Sequence, residues 1–275
     1  MSIRTILNNS FLRHAAHIHI DIDHERLSST AIHLPQKLGQ WIFNRLLKTD
    51  HEVPVGRVKF GSFRRVTPIS RTWGFERGGP IDRYYIERFL ASHANDIHGR
   101  VLEISENHYT RRFGGSRVTQ SDVLDLTWDN RQATMVANLT DGKNIPSNIF
   151  DCIILTQTLH AIEDTRTVLE TLYRILRPGG VLLATLPGIS QVRPSDWGGY
   201  WCGGYRSARR AFAQVFSDRY VEAQTYGNVL AAISFLEGLG VKELNQEELD
   251  YHDPDFEVTI GVRAIKQSVR QSVAA

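Results

Sequence analysis

Between residues 99 and 187 short apolar runs alternate with polar turns and one amphipathic stretch. Val101 to Ser105 reads as a first strand, Arg117 to Ser121 as a second and Ala133 to Asn138 as a weaker third. Asp151 to Thr156 is a fourth, and its near-continuous apolar run fits a strand covered on both faces. Asp164 opens a helix that lines up Val168, Leu169, Leu172, Ile175 and Leu176 on one face. Pro178-Gly179-Gly180 stops it, since proline lacks a donor and glycine accepts positive φ. Gly180 to Leu186 follows as a fifth strand. Further on, Ser207 is placed to cap a helix that buries Ala211, Phe212, Val215 and Phe216. Residues 220–226 read as a sixth strand and 228–239 as a helix. In Glu257 to Arg263, Val258, Ile260 and Val262 alternate as in a last strand. Upstream, Asp82 is placed to cap a helix that carries Tyr85, Ile86, Phe89 and Leu90 and ends near Asp96. Residues 36–48 suit a short amphipathic helix docked on the main domain, and 51–80 an irregular surface segment.

Strands alternating with helices predict a Rossmann-like, seven-stranded, mostly parallel sheet with helices on both faces, preceded by an N-terminal extension. The expected division is an extension over 1–70, the α/β domain over 71–265 and a flexible tail over 266–275. Composition narrows the function classes. With 275 residues, 41% of them hydrophobic, 23% charged and a net charge of +2, nothing calls for nucleic acid as a partner. Two cysteines, Cys152 and Cys202, do not make a disulfide framework or a zinc site. No apolar run reaches the length of a membrane span and no secretory leader is evident, so a cytoplasmic location is expected. His14, His17, His19 and His24 have no companion cysteine or carboxylate cluster, so no metal is expected.

Ligands of such sheets sit beyond the carboxyl ends of the strands, at the switch in strand order. Glu103 ends the first strand, where a carboxylate needs donors from the next loop or from a ligand. Asp122, 19 residues later, is placed to take both hydroxyls of a ribose, or else to form a local turn. Asn138 and Leu139 follow the third strand, where an amide and an apolar side chain can meet an adenine ring or simply make a turn. Gln157 to His160 closes the fourth strand and lines the floor of the site; His160 is the candidate general base. The 188–206 segment interleaves Trp197, Tyr200, Trp201 and Tyr205 with glycines, and aromatic faces stack on sugar rings or planar acceptors. Arg77, Asp82 and Tyr84 precede the sheet and are placed to fold over a ligand as a lid.

Residues 99–188 resemble the class I S-adenosylmethionine-dependent methyltransferases, through Phe150-Asp151 and its strand, Leu159-His160, and Leu176-Arg177-Pro178-Gly179-Gly180. The wider stretch 71–264 resembles a bacterial group of methyltransferase-domain proteins that often accompanies sugar-polymer and glycosyltransferase systems. It carries Gly-Phe-Glu-Arg-Gly-Gly-Pro-Ile-Asp-Arg-Tyr-Tyr-Ile-Glu (74–87), Tyr-Thr-Arg-Arg-Phe-Gly-Gly (109–115), Ile-Leu-Thr-Gln-Thr-Leu-His (154–160) and Tyr-His-Asp-Pro-Asp (251–255). The resemblance implies S-adenosyl-L-methionine as cofactor, held by Glu103, Ile104, Ser105, Asp122, Val123, Asn138, Leu139 and Gln157. It implies a small-molecule or glycan acceptor near Arg77, Tyr84, Trp197, Tyr200 and Trp201, O-methylated with His160 as base. In one respect the chain departs from the family: Ser105 and Asn107 stand where the loop after the first strand carries glycines. That departure leaves a second reading, a non-catalytic scaffold that binds a glycosyltransferase-system partner. A dehydrogenase reading needs Gly-x-Gly-x-x-Gly after the first strand, which the chain lacks.

Overall fold

Seven strands form one sheet in the order β3-β2-β1-β4-β5-β7-β6. They span Gly99–Ile104 (β1), Val118–Asp125 (β2), Met135–Val136 (β3), Phe150–Thr156 (β4), Leu176–Pro187 (β5), Val221–Tyr226 (β6) and Thr259–Ile265 (β7). β7 runs antiparallel to both of its neighbours, and the other pairings are parallel. This is a Rossmann-like α/β sheet whose strand order reverses between β1 and β4. The computed structural model describes residues 53–191, 199–200 and 203–268. Residues from Ser62 onward make up one compact unit, distinct from Met1–Gly61. The expected helix over 36–48 and the four N-terminal histidines lie outside the described residues.

Among the described residues five α-helices accompany the sheet: Ile81–Ser92 (α1), Thr165–Ile175 (α2), Tyr205–Phe216 (α3), Val229–Leu236 (α4) and Gln246–Asp250 (α5). The two-residue period of the strands deals their side chains to two cores. Leu102, Ile153, Leu155, Leu182 and Ala184 pack under Val168, Leu169 and Leu172 of α2 and Phe212 and Phe216 of α3. Val101, Cys152, Ile154, Val181 and Leu183 face Ile86, Phe89 and Leu90 of α1 on the other side. A third cluster joins α1, α4 and α5 through Tyr85, Phe235 and Leu249. Among the described residues, no helix is long and apolar enough to cross a membrane.

Several boundaries differ from the sequence expectation, each for a physical reason. β2 runs to Asp125 rather than stopping at Ser121, because the charge of Asp122 inside the strand is met by Arg100 on β1. β3 shrinks to two residues. Pro80, not Asp82, occupies the N-cap of α1, and Asp82 lies in the first turn. The Asp164 cap of α2 forms as expected, accepting the Thr167 N–H at 3.0 Å. α2 ends at Ile175, and β5 starts before the Pro-Gly-Gly sequence. Phe150 pairs with Leu176, and the next pairing, Cys152 with Val181, skips over a bulge at Gly179 (φ 84°). Ser207 lies inside α3; the first free amide of that helix, on Tyr205, instead donates to Glu257 Oε2 at 2.8 Å. α5 was not expected, although Asn245 and Glu248 carry the spacing of a reciprocal cap and form one.

Candidate functional site

The end of β1 is built around Glu103. It is 2% exposed, and its two carboxylate oxygens accept the backbone N–H groups of Tyr109 (3.1 Å) and Thr110 (2.7 Å). Burial pushes its carboxyl above the usual range, and these amides favour the charged form. Glu103 therefore fastens the turn after β1. The chain leaves β1 through Ile104, which packs against the α2 side of the core, and turns at Ser105 with φ 65°. A left-handed backbone at a non-glycine residue is uncommon, and here it makes the sharp turn that glycine would make. Ser105 is exposed; its N–H donates to Leu124 O at 2.9 Å and its carbonyl accepts from Asn130 Nδ2 at 2.6 Å. Asn107, the other residue at an expected glycine position, has no positive φ; its Nδ2 donates to Ser121 Oγ at 3.1 Å.

Asp122 does not follow the second strand; it lies within it, level with Leu102 of β1. It is 5% exposed and accepts from Arg100 Nε at 2.7 Å, so its charge is spent inside the sheet. Val123, one step on, is also strand interior, bonded through both backbone groups to Thr134. The carboxylate at the carboxyl end of β2 is Asp125. Its Oδ1 accepts the Leu126 N–H and its Oδ2 accepts Asn130 Nδ2, both at 2.7 Å. The Asn130 bond first, and the backbone bonds after it, hold this carboxyl below its ordinary value, so it is charged at neutral pH. The signal for Asp125 was the continued Val-Leu run after Asp122, which a turn at Asp122 would have wasted. Asn138 Oδ1 accepts from the N–H and hydroxyl of Thr140, an ordinary Asx turn, and Leu139 is buried in the core.

Beyond β4, Gln157 has φ 46° and its N–H donates to Thr185 O at 3.0 Å, which ties the end of β4 to β5. His160 follows in a tight turn over Leu159–Ala161. Its Nδ1 is buried without a hydrogen-bond partner, and burial lowers its pKa, so the ring is neutral at pH 7. The His160 carbonyl accepts the Tyr200 N–H at 3.1 Å, which joins the aromatic-rich loop to the candidate base. Tyr200 itself is 62% exposed. Trp197 and Trp201 lie outside the described residues. The ends of that loop meet at one residue: a Cβ on Gly188 would strike the Glu257 backbone, and one on Gly204 would strike the Glu257 carboxylate.

α1 lies against the turn after β1. Arg83 Nη1 donates to the Tyr109 hydroxyl at 2.9 Å, and Asp82 Oδ1 is buried with no partner. Burial raises the Asp82 carboxyl to about 6. The other two lid candidates are engaged elsewhere. Arg77 forms a two-pronged pair with Glu243, and Tyr84 donates to Asp250 Oδ1 at 2.6 Å. Strand-end Asp125, the glycine-like turn at Ser105 and an unpartnered imidazole nitrogen on His160 thus occupy segments that follow β2, β1 and β4. The first two can hold a polyhydroxylated cofactor, and the third can take up a proton.

Residues 78–184 match the family described as methyltransferase domain. No curated protein matches the chain. Among solved structures, it is similar to a SAM-dependent methyltransferase from Archaeoglobus fulgidus, with 12% identity, 67% of this chain and 94% of that one covered and a TM-score of 0.46. A second is an S-adenosylmethionine-dependent methyltransferase from Mesorhizobium loti, with 17% identity, 68% and 98% coverage and a TM-score of 0.46. A third is phosphoethanolamine N-methyltransferase 2 of Haemonchus contortus in complex with S-adenosyl-L-methionine, with 17% identity, 78% and 62% coverage and a TM-score of 0.45.

Proposed function

We propose that this chain is an S-adenosylmethionine-dependent methyltransferase that O-methylates a glycan, a sugar or a related small molecule. The observation that carries the reading is the turn at Ser105. Its positive φ supplies, without glycine, the sharp backbone turn after β1 that a cofactor needs for close approach. The methyltransferase-domain match over 78–184 supports it. The scaffold reading rests on the missing glycines; a left-handed Ser105 supplies the turn at one of the two positions, while Asn107 keeps an ordinary backbone.

The residues divide the work. Asp125, charged at the end of β2, accepts the ribose hydroxyls. Ile104, Ser105 and Gln157 line the edge between β1 and β4, and Glu103 keeps that edge in shape from behind. When bound, S-adenosylmethionine supplies a methyl group on a positively charged sulfur. His160, neutral at pH 7, is the base in this reading, and its buried Nδ1 must be uncovered for the acceptor hydroxyl to reach it. Tyr200, tied to His160 through the backbone and itself exposed, stands beside the candidate base.

Calorimetry tests the donor site. The wild type is expected to bind S-adenosylmethionine and S-adenosylhomocysteine. Asp125→Ala should weaken both by about 100-fold, the worth of two hydroxyl bonds to a charged acceptor. No binding by the wild type at millimolar ligand, or full affinity in the variant, would sink the reading. Replacing His160 with alanine should lower kcat about 100-fold and leave donor affinity unchanged. An unaltered kcat would remove it as the base. A glycosyltransferase-system partner is part of this reading only through the resemblance of residues 71–264. Pull-down of the full chain tests it, and recovery of the chain alone would count against it.

A further inference from the structure

A cavity of about 370 Å³ opens at the carboxyl end of β6. Its walls come from α1, from the start of α3, from the end of β6 and from the segment after α5. Two stretches singled out in the sequence, 74–87 and 251–255, thus meet here, and the donor edge uses little of either. Tyr205, Tyr226 and Tyr251 supply the aromatic surface, with the buried Tyr85 packed behind them. The rings of Tyr85 and Tyr226 stand 6.1 Å apart at 30°. Burial pushes both phenols up to about 12, so they stay neutral. Tyr85 is fixed by its hydroxyl, which donates to Leu249 O at 3.1 Å.

The polar groups decide what such a space admits. Arg88 is ion-paired with Asp250, which also accepts from the Tyr84 hydroxyl and from Gln246 Nε2. Asp250 offsets the charge of Arg88, so the pair adds no net charge to the wall. The neutral groups of the wall are paired among themselves, Gln224 Nε2 donating to the Tyr226 hydroxyl and Thr225 Oγ1 lying 3.0 Å from His252 Nε2, and each pair keeps a lone pair or proton for a ligand. Aromatic faces with neutral hydrogen-bonding groups around them suit a ring that is apolar on its faces and hydroxylated at its edge.

We infer that this cavity binds one neutral sugar ring of the acceptor, at a distance from the reacting hydroxyl. The inference rests on the proposed methyltransferase reading for the word acceptor alone; the recognition chemistry stands without it. α1 links the two places. Arg83 reaches Tyr109 behind β1 and Arg88 lines the cavity, five residues on, or about 7.5 Å of helix rise. A ring held here positions the rest of a longer acceptor toward His160, so binding energy remote from the reaction orients the reacting group.

Saturation-transfer NMR on the full chain, without methyl donor, tests this. The probes are methyl glucopyranoside, methyl galactopyranoside and N,N′-diacetylchitobiose, with glucose 6-phosphate and 4-hydroxybenzoate as charged and aromatic controls. At least one neutral sugar should take up saturation at its ring protons. Tyr251→Ala and His252→Ala, both at exposed positions, should weaken it by about tenfold with thermal midpoint and S-adenosylmethionine affinity unchanged. Silence from all three sugars, equal affinity in the variants, or tighter binding of either control would overturn the subsite. Calorimetry with the donor on the same preparation separates the two ideas. Donor binding without sugar binding sinks this inference alone, and sugar binding without donor binding sinks the methyltransferase reading alone.

Discussion

Glu103 and Asp122 are carboxylates buried in neighbouring strands, one register step apart, and they are held in opposite ways. At the end of β1 the partners are two backbone amides of the following turn. In the middle of β2 the partner is the Arg100 guanidinium, which also lies 5.2 Å from the Phe150 ring centre. The first arrangement shapes backbone and so builds a loop. The second cancels charge inside the sheet and lets a strand run on through a polar residue. A buried acid is therefore no guide to a binding role until its partners are known. The carboxylate that faces outward, Asp125, is the least buried of the three.

The comparison breaks most visibly at Glu103. Glu103→Ala strips two buried amides of their acceptor and should cost about 3 kcal/mol in urea unfolding. It should also abolish donor binding, because the turn after β1 loses its anchor. A stable variant with full donor affinity would mean that the turn is held by something else. Next comes Asp82, the third buried acid, which has no cation bonded to its Oδ1. Its folded pKa of about 6 lies above the ordinary 3.8, so the folded chain binds the proton more tightly than the unfolded one. The stability it contributes is complete below pH 3.8 and is lost as pH rises through 6. The stability difference between wild type and Asp82→Asn should therefore shift against the wild type by about 2 kcal/mol between pH 4 and pH 7. A difference that is flat with pH would show that the carboxyl titrates normally. The smallest effect belongs to Asp122→Ala. It leaves a partly exposed guanidinium unpaired, at a cost of about 1 to 2 kcal/mol, and Arg100→Met with Asp122→Leu should recover most of that. Donor affinity should stay within about twofold in both variants; a large loss would return the ribose role to Asp122.

Much of the sheet was legible because burial on both faces leaves a local mark. β4 is apolar almost throughout, and α2 repeats its apolar residues at helical spacing behind a capping aspartate. Partners distant in sequence leave no such mark. Asp122 reads as a strand-end acceptor for ribose hydroxyls, or as a turn, until Arg100 is known to lie beside it on β1. The conformation of Ser105 is invisible in its residue type, since nothing local distinguishes a left-handed serine from any other. His160 could be proposed from its position after β4, but the freedom of its Nδ1 depends on what packs around it. The cavity behind β6 draws on residues near 85, 225 and 250, and no stretch of sequence contains it.

Glu257 borders both Gly188 and Gly204: a Cβ on Gly188 would strike its backbone, and one on Gly204 would displace the end of its carboxylate. The chain therefore leaves β5 and enters α3 beside the same residue. Doubling such a loop costs only about 0.6 kcal/mol in closure entropy. Exchange of this segment for a longer or shorter one is a route by which descendants of this chain can change clientele while the scaffold beneath stays as it is.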